Sequence, residues 1–129
     1  MSFLDKEGKP AGYSIDLSKH IVNEIKKKTD SEIEIEYVPV TAEDRFAALS
    51  ENKIDILCGA TTKTISRSEL VDFTQLTFIT GASFITLRGK KIKNEFEGKK
   101  IGVVQNTTTA AELKKLFQKT SVNAEIILF

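Results

Sequence analysis

Ile54-Asp55-Ile56-Leu57-Cys58-Gly59-Ala60-Thr61-Thr62-Lys63-Thr64-Ile65-Ser66-Arg67 opens apolar and turns polar at Gly59. Residues 54–58 are short and hydrophobic enough to read as a buried strand. Residues 59–66 read as a polar loop leaving its carboxyl end. In a mostly parallel sheet flanked by helices, ligands bind beyond the carboxyl ends of strands. The strand-then-loop order therefore sets Ala60, Thr62 and Arg67 at a binding edge, provided that the flanking chain alternates strands and helices.

The flanking chain predicts that alternation. Upstream, residues 5–12 (Asp-Lys-Glu-Gly-Lys-Pro-Ala-Gly) are dense in turn formers and read as a hairpin tip or loop. Asp16 is a candidate N-cap, and Leu17, Ile21, Val22 and Ile25 form one apolar helical stripe. Lys26, Lys27 and Lys28 close that helix, where cations favour the dipole, and read as a solvated terminus. Residues 33–38 alternate apolar and polar with the period of a strand, limited by Pro39. Thr41, with Glu43 and Asp44 behind it, predicts a helix start, and that helix ends near Asn52. Downstream, residues 71–73 and 82–87 suggest extended chain, and the charged stretch 89–98 a surface connection. Residues 100–104 read as a strand. Thr107, Thr108 and Thr109 open a helix carrying Leu113, Leu116 and Phe117, and residues 124–129 read as a final strand. Such alternation argues for α/β layers around a mostly parallel sheet.

Chemistry concentrates in the two loops that follow candidate strands. Arg67 can clamp a carboxylate through two parallel hydrogen bonds, which lysine cannot copy. Residues 105–109 (Gln-Asn-Thr-Thr-Thr) open a helix, whose free N–H groups and positive dipole end suit an anion. Two such loops would grip a zwitterion. The plainer readings stay open: an ion pair of Arg67 with Glu69 or Asp72, and helix capping by the threonines.

Composition narrows the function classes. The chain has 129 residues, 19 Lys and Arg against 18 Asp and Glu, and 40% hydrophobic residues. That is the mix of an ordinary folded domain. A chain this long buries roughly two-thirds of its unfolded surface, enough for a single core. The net charge of +1 lacks the basic excess of nucleic-acid binders. No apolar run approaches the roughly 18 residues of a membrane span, and no leader pattern is read at Met1. Cys58 has no second cysteine to pair with, and His20 is the single histidine, so neither a CxxC knuckle, an HExxH site nor a Ser-His-Asp spacing is present. Neither loop carries a carboxylate or histidine for acid or base work, which argues against an enzyme. No metal or cofactor is implied.

The chain resembles the polar amino-acid substrate-binding proteins of ABC transporters (family 3 solute-binding proteins), most of all the glutamate/aspartate-binding branch. The residues that carry the resemblance run nearly end to end: Gly12-Tyr13-Ser14-Ile15-Asp16, Val38-Pro39-Val40-Thr41, Arg45 through Leu49, Asp55 through Thr62, Arg67 with Asp72-Phe73, Gly98-Lys99-Lys100, and Thr107-Thr108. The resemblance implies an α/β, periplasmic-binding-protein-like (type II) lobe of three α/β/α layers. Residues 1–88 correspond to lobe one, 89–98 to the crossover and 99–129 to the start of lobe two.

By the same resemblance, Arg67 holds the ligand α-carboxylate, while Ala60, through its backbone, and Thr62 contact the α-groups. Thr107 and Thr108 serve at the helix start of lobe two. Arg45 holds the side-chain carboxylate of an acidic ligand, against the plainer reading of a helix-surface residue that pairs with Glu43 or a neighbour. Asn106 stands where the family usually has glycine, and asparagine tolerates positive φ better than most residues. Ala42 stands where relatives place a contacting serine or aromatic residue. Cys58 is expected to be a free, buried thiol.

The family's first strand is expected to lie before Met1, and the rest of lobe two, with the acidic partner of the ligand ammonium, after Phe129. The apolar final strand agrees with a fragment, since an uncovered strand edge invites pairing. The vacant strand position in lobe one is expected to be taken either by residues 100–104 or by a second copy, giving a homodimer by strand exchange. The implied partners are an amino acid and a membrane permease, and the implied location is periplasmic or extracellular. The competing expectations are a fragment without ligand affinity that dimerises, and a sensing domain of a receptor.

Overall fold

The computed structural model describes residues 1–90 and 96–129. It consists of two compact units, Met1–Asp72 and Phe73–Phe129.

The first unit opens with an antiparallel hairpin of β1 (Phe3–Leu4) and β2 (Pro10–Ala11), with Phe3 opposite Ala11 and Leu4 opposite Pro10. The turn between them is the expected hairpin tip. The Asp5 carboxylate accepts from the amides of Glu7 at 2.8 Å and Lys9 at 2.9 Å. Helix α1 (Tyr13–Thr29) follows at once. Its N-cap lies four residues before the Asp16 cap expected from sequence. Gly12 is the N-cap, at φ 106°. A side chain there would meet the Met1 carbonyl oxygen at 2.7 Å and the Phe3 ring at 3.1 Å, so the hairpin sets the helix start. Asp16 instead lies in the first turn, where its charge favours the dipole. Ile15 is buried, and Leu17, Ile21 and Val22 are half-buried, whereas Ile25 is exposed.

Residues 33–38 depart from the expected strand. Ile33, Ile35 and Tyr37 are half-buried and Glu34, Glu36 and Val38 exposed, so the period-2 pattern is present. No ladder accompanies it among the described residues. Alternation decides which side chains turn inward, but a strand also needs a neighbour in register. The Tyr37 hydroxyl lies 3.5 Å from Ser18 Oγ, tying the segment to α1.

Helix α2 (Arg45–Ser50) is preceded by a turn whose two ends bond reciprocally. The Asp44 carboxylate accepts from the Thr41 amide at 2.6 Å and hydroxyl at 2.9 Å, while Thr41 Oγ1 accepts from the Asp44 amide at 3.3 Å. The expected start at Thr41 is therefore a turn and not the cap: the N-cap of α2 is Asp44, whose side chain makes no capping hydrogen bond, and the helix ends short of Asn52. Residues 54–58, expected as a buried strand, pair with no strand among the described residues; the Ile54 amide donates back to the Ala48 carbonyl at 3.2 Å. The polar loop is shorter than expected, because α3 (Ile65–Ser68) begins inside it with Thr64 as N-cap. Residues 71–73 and 82–87 also carry no ladder.

The second unit contains a strand-helix-strand motif whose expected ends hold to within a residue or two. β3 (Lys100–Val103) pairs in parallel with β4 (Glu125–Leu128), and α4 (Thr108–Thr120) connects them. Strand β3 thus pairs within its own motif. Ile101 lies opposite Ile126, and Gly102 opposite Ile127. Gly102 admits the Phe129 ring, which would lie 2.7 Å from a Cβ there. Ala110, Leu113 and Phe117 bury one face of α4, whereas Leu116, expected in that stripe, is exposed. Phe96 joins the cluster, its ring centroid 6.0 Å from Phe117 and 4.8 Å from Phe84. The expected connection over 89–98 falls partly on residues 91–95, outside the described residues.

Candidate functional site

The loop from Gly59 to α3 is closed by its own arginine. Thr64 Oγ1 accepts from the Arg67 amide at 3.3 Å, which starts the helix one turn before Arg67. Arg67 Nη1 then donates to the Thr62 carbonyl oxygen at 2.9 Å. This bond aligns the guanidinium with the backbone of the loop. It also occupies the Thr62 carbonyl. Ala60 and Thr62 are exposed and Arg67 is half-buried.

Arg45, at the start of α2, approaches the same place. Its guanidinium carbon lies 5.2 Å from the centroid of the Phe46 ring, and that of Arg67 lies 5.4 Å from the same centroid. The two guanidinium carbons are therefore no farther apart than the sum of these distances. Burial, and secondly the charge of Arg67, push the Arg45 pKa below its ordinary value. Arg45 Nε is buried with no hydrogen-bond partner. Among the described residues Arg45 joins no ion pair, so the surface pairing with Glu43 does not form. Two converging cations with a spare buried donor are suited to receive carboxylates.

Thr107 and Thr108 belong to the second unit. Thr107 is the N-cap of α4: its hydroxyl accepts from the Ala110 amide at 3.2 Å and donates to the Val104 carbonyl at 2.7 Å. The capping alternative thus describes its hydroxyl. Thr108 is the first residue of the helix and is half-buried. Asn106 adopts φ 57°, the left-handed conformation that glycine would enter most readily. Cys58 is a free thiol, half-buried rather than buried, and desolvation raises its pKa.

An open depression of about 520 Å³ on the first unit is lined by Lys63, Thr64, Ile65, Ser68 and Glu69, without either arginine. Among the described residues no three His, Cys, Asp or Glu side chains gather as metal ligands. Phe46 escaped the sequence reading. It looks like any apolar residue of a short amphipathic helix, and its approach to Arg67 joins residues far apart in the chain.

Comparison with known proteins bears on this geometry. Residues 1–126 match the model of the bacterial extracellular solute-binding proteins, family 3. The chain belongs to this family. The solute-binding protein of glutamate/aspartate import from Escherichia coli (strain K12) is 31% identical over 129 residues, covering 98% of this chain and 43% of the relative. The L-glutamate/L-aspartate-binding protein of Pseudomonas aeruginosa (strain PAO1) is 32% identical over 130 residues, with 98% and 43% covered. This family 3 chain thus spans about two-fifths of the length of these relatives, which are solute-binding proteins and not enzymes. An ancestral arginine-binding protein, solved bound to arginine, superposes with a TM-score of 0.77 at 26% identity, covering 99% of this chain and 54% of that one. The architecture of this family 3 chain is accordingly α/β and periplasmic-binding-protein-like, of type II.

Proposed function

We propose that this chain carries part of the ligand site of an extracytoplasmic solute-binding protein that delivers a polar amino acid, glutamate or aspartate, to an ABC-transporter permease. The observation that carries the reading is the convergence of Arg45 and Arg67 on Phe46, with Arg45 outside every ion pair among the described residues. Arg67 takes the ligand α-carboxylate, assisted by the Ala60 backbone and the Thr62 hydroxyl. Arg45 takes the side-chain carboxylate. Thr107 and Thr108, at the start of α4, are further proposed ligand contacts. In this reading residues 1–88 form lobe one, 89–98 the crossover and 99–129 the start of lobe two. Two fixed cations measure the spacing of two carboxylates, so an acidic amino acid satisfies both and a neutral one only Arg67. The relatives named for glutamate and aspartate support this choice of ligand.

Calorimetric titration with L-glutamate, L-aspartate, L-glutamine and L-arginine tests the proposal. Saturable heat is expected for the acidic pair, with loss in Arg67→Ala. Binding of L-glutamine or L-arginine as tight as that of the acidic pair would sink the ligand assignment, and no heat with any amino acid would sink the binding function of this chain.

A further inference from the structure

We infer that Phe46 is a positioning residue of this site, whose ring holds the Arg45 and Arg67 guanidinium groups together and so sets a preference for dicarboxylic over neutral amino acids. The inference rests on the reading of the two arginines given under Proposed function.

Two like charges do not gather without cause. Each guanidinium repels the other, and the effect of Arg67 on the titration of Arg45 records that repulsion. Arg45 has no carboxylate to offset it among the described ion pairs, and its Nε is buried without a partner. The aromatic ring supplies an attraction. A cation within about 6 Å of a ring centroid is drawn to the negative π-face, and both guanidinium carbons satisfy this limit on one ring, at 5.2 and 5.4 Å. Phe46 is half-buried, which screens that attraction less than open water would.

The form of the attraction matters for binding. A guanidinium has five N–H donors in its plane, and cation–π contact consumes none of them. A carboxylate side chain in place of Phe46 would neutralise the arginines and compete with the ligand. The ring instead holds them without consuming a donor. It also links separate elements, since Arg45 and Phe46 lie on α2 and Arg67 on α3. A neutral amino acid engages Arg67 alone, which its bond to the Thr62 carbonyl still holds when the ring is lost, and tolerates displacement of Arg45. A dicarboxylic ligand needs both at a fixed spacing.

The test compares Phe46→Leu, which keeps an apolar helix residue but removes the ring, with Phe46→Tyr, which keeps the ring. L-Glutamate and L-glutamine are titrated into the full chain and both variants by calorimetry, with circular dichroism to verify folding. Phe46→Leu is expected to weaken L-glutamate about fivefold or more, the worth of one cation–π contact, and to change L-glutamine by less than about twofold. Phe46→Tyr should behave as wild type. Equal weakening of both ligands, no weakening, or failure of tyrosine to rescue overturns the inference while leaving the proposed function standing.

A ligand-free readout keeps the two ideas separate. The arginine Nε–Hε resonances of Arg45 and Arg67 are expected to be ring-shifted in wild type and Phe46→Tyr, and to move toward free-arginine positions in Phe46→Leu. Unmoved resonances overturn the inference even if the chain takes up no amino acid. Absence of binding in wild type, with the resonances moving as expected, overturns the proposed function and the preference built on it but upholds the ring's hold on the cations.

Discussion

Arg67 Nη1 donates to the carbonyl oxygen of Thr62 at 2.9 Å, so the arginine braces the backbone of the loop that precedes it. A side chain proposed to grip a carboxylate also shapes the loop proposed to surround it. Arg67→Ala should therefore weaken binding strongly and loosen residues 59–64 together. Loss of a buried charge partner commonly costs about 2–5 kcal/mol, or roughly two decades or more of affinity. Arg67→Lys should recover little, because an ammonium cannot form two parallel bonds to one carboxylate. Calorimetry on both variants checks this. Affinity near wild type in the lysine variant would remove the bidentate role.

Arg45→Ala separates ligand classes. The expected outcome is a large loss of affinity for L-glutamate and a small one for L-glutamine, read by parallel titrations. Equal losses would mean that Arg45 supports the fold rather than the side-chain carboxylate.

Thr107 bridges the Val104 carbonyl and the Ala110 amide through one hydroxyl. Removal of an N-cap side chain costs about 0.5–2 kcal/mol, so Thr107→Ala should lower stability by about 1 kcal/mol in urea unfolding. Thr107→Ser retains both bonds and should retain stability. If the alanine variant is as stable as wild type, the cap contributes nothing measurable.

Asn106 precedes that cap at φ 57°. Left-handed backbone costs an ordinary side chain roughly 1–2 kcal/mol, and a β-branched one suffers most. Asn106→Val should therefore be less stable than Asn106→Gly by about that amount. Equal midpoints in urea would contradict the conformation of the turn.

Asp44 offers a pH signature. Hydrogen bonds from the Thr41 backbone amide, and secondly from its hydroxyl, hold the Asp44 carboxyl below its ordinary value of 3.8. A depressed folded value means that the contribution of these bonds is present above pH 3.8 and is lost as pH falls through the lower folded value. Thr41→Ala removes the hydroxyl but not the amide, so the Asp44 pKa should rise part of the way back. Carboxyl chemical shifts followed through an acid titration measure this directly, and an unshifted titration would show that the hydroxyl bond does not form in solution.

Local chemistry made much of the chain legible. Thr64 and Thr107 cap helices because a short hydroxyl side chain can accept from an amide three residues ahead, a relationship contained within a few positions. The motif of β3, α4 and β4 was readable to within a residue or two, since strand, helix and strand each carry their own period. The loop of Arg67 was readable as chemistry because guanidinium and threonine groups have few uses apart from polar contacts.

Other features depended on residues distant in sequence. The start of α1 moved from Asp16 to Gly12 because the Met1 carbonyl and the Phe3 ring close over that glycine. Residues 33–38 kept their alternation without a ladder, since the burial pattern belongs to one segment but hydrogen-bond pairing requires a second. The sequence by itself determined residue types, caps and local periods, because those interactions span a few residues. Only the tertiary structure decided that Arg45 and Arg67 meet at Phe46, because a ring attracts whichever cations folding brings to it, and no spacing along the chain encodes that distance.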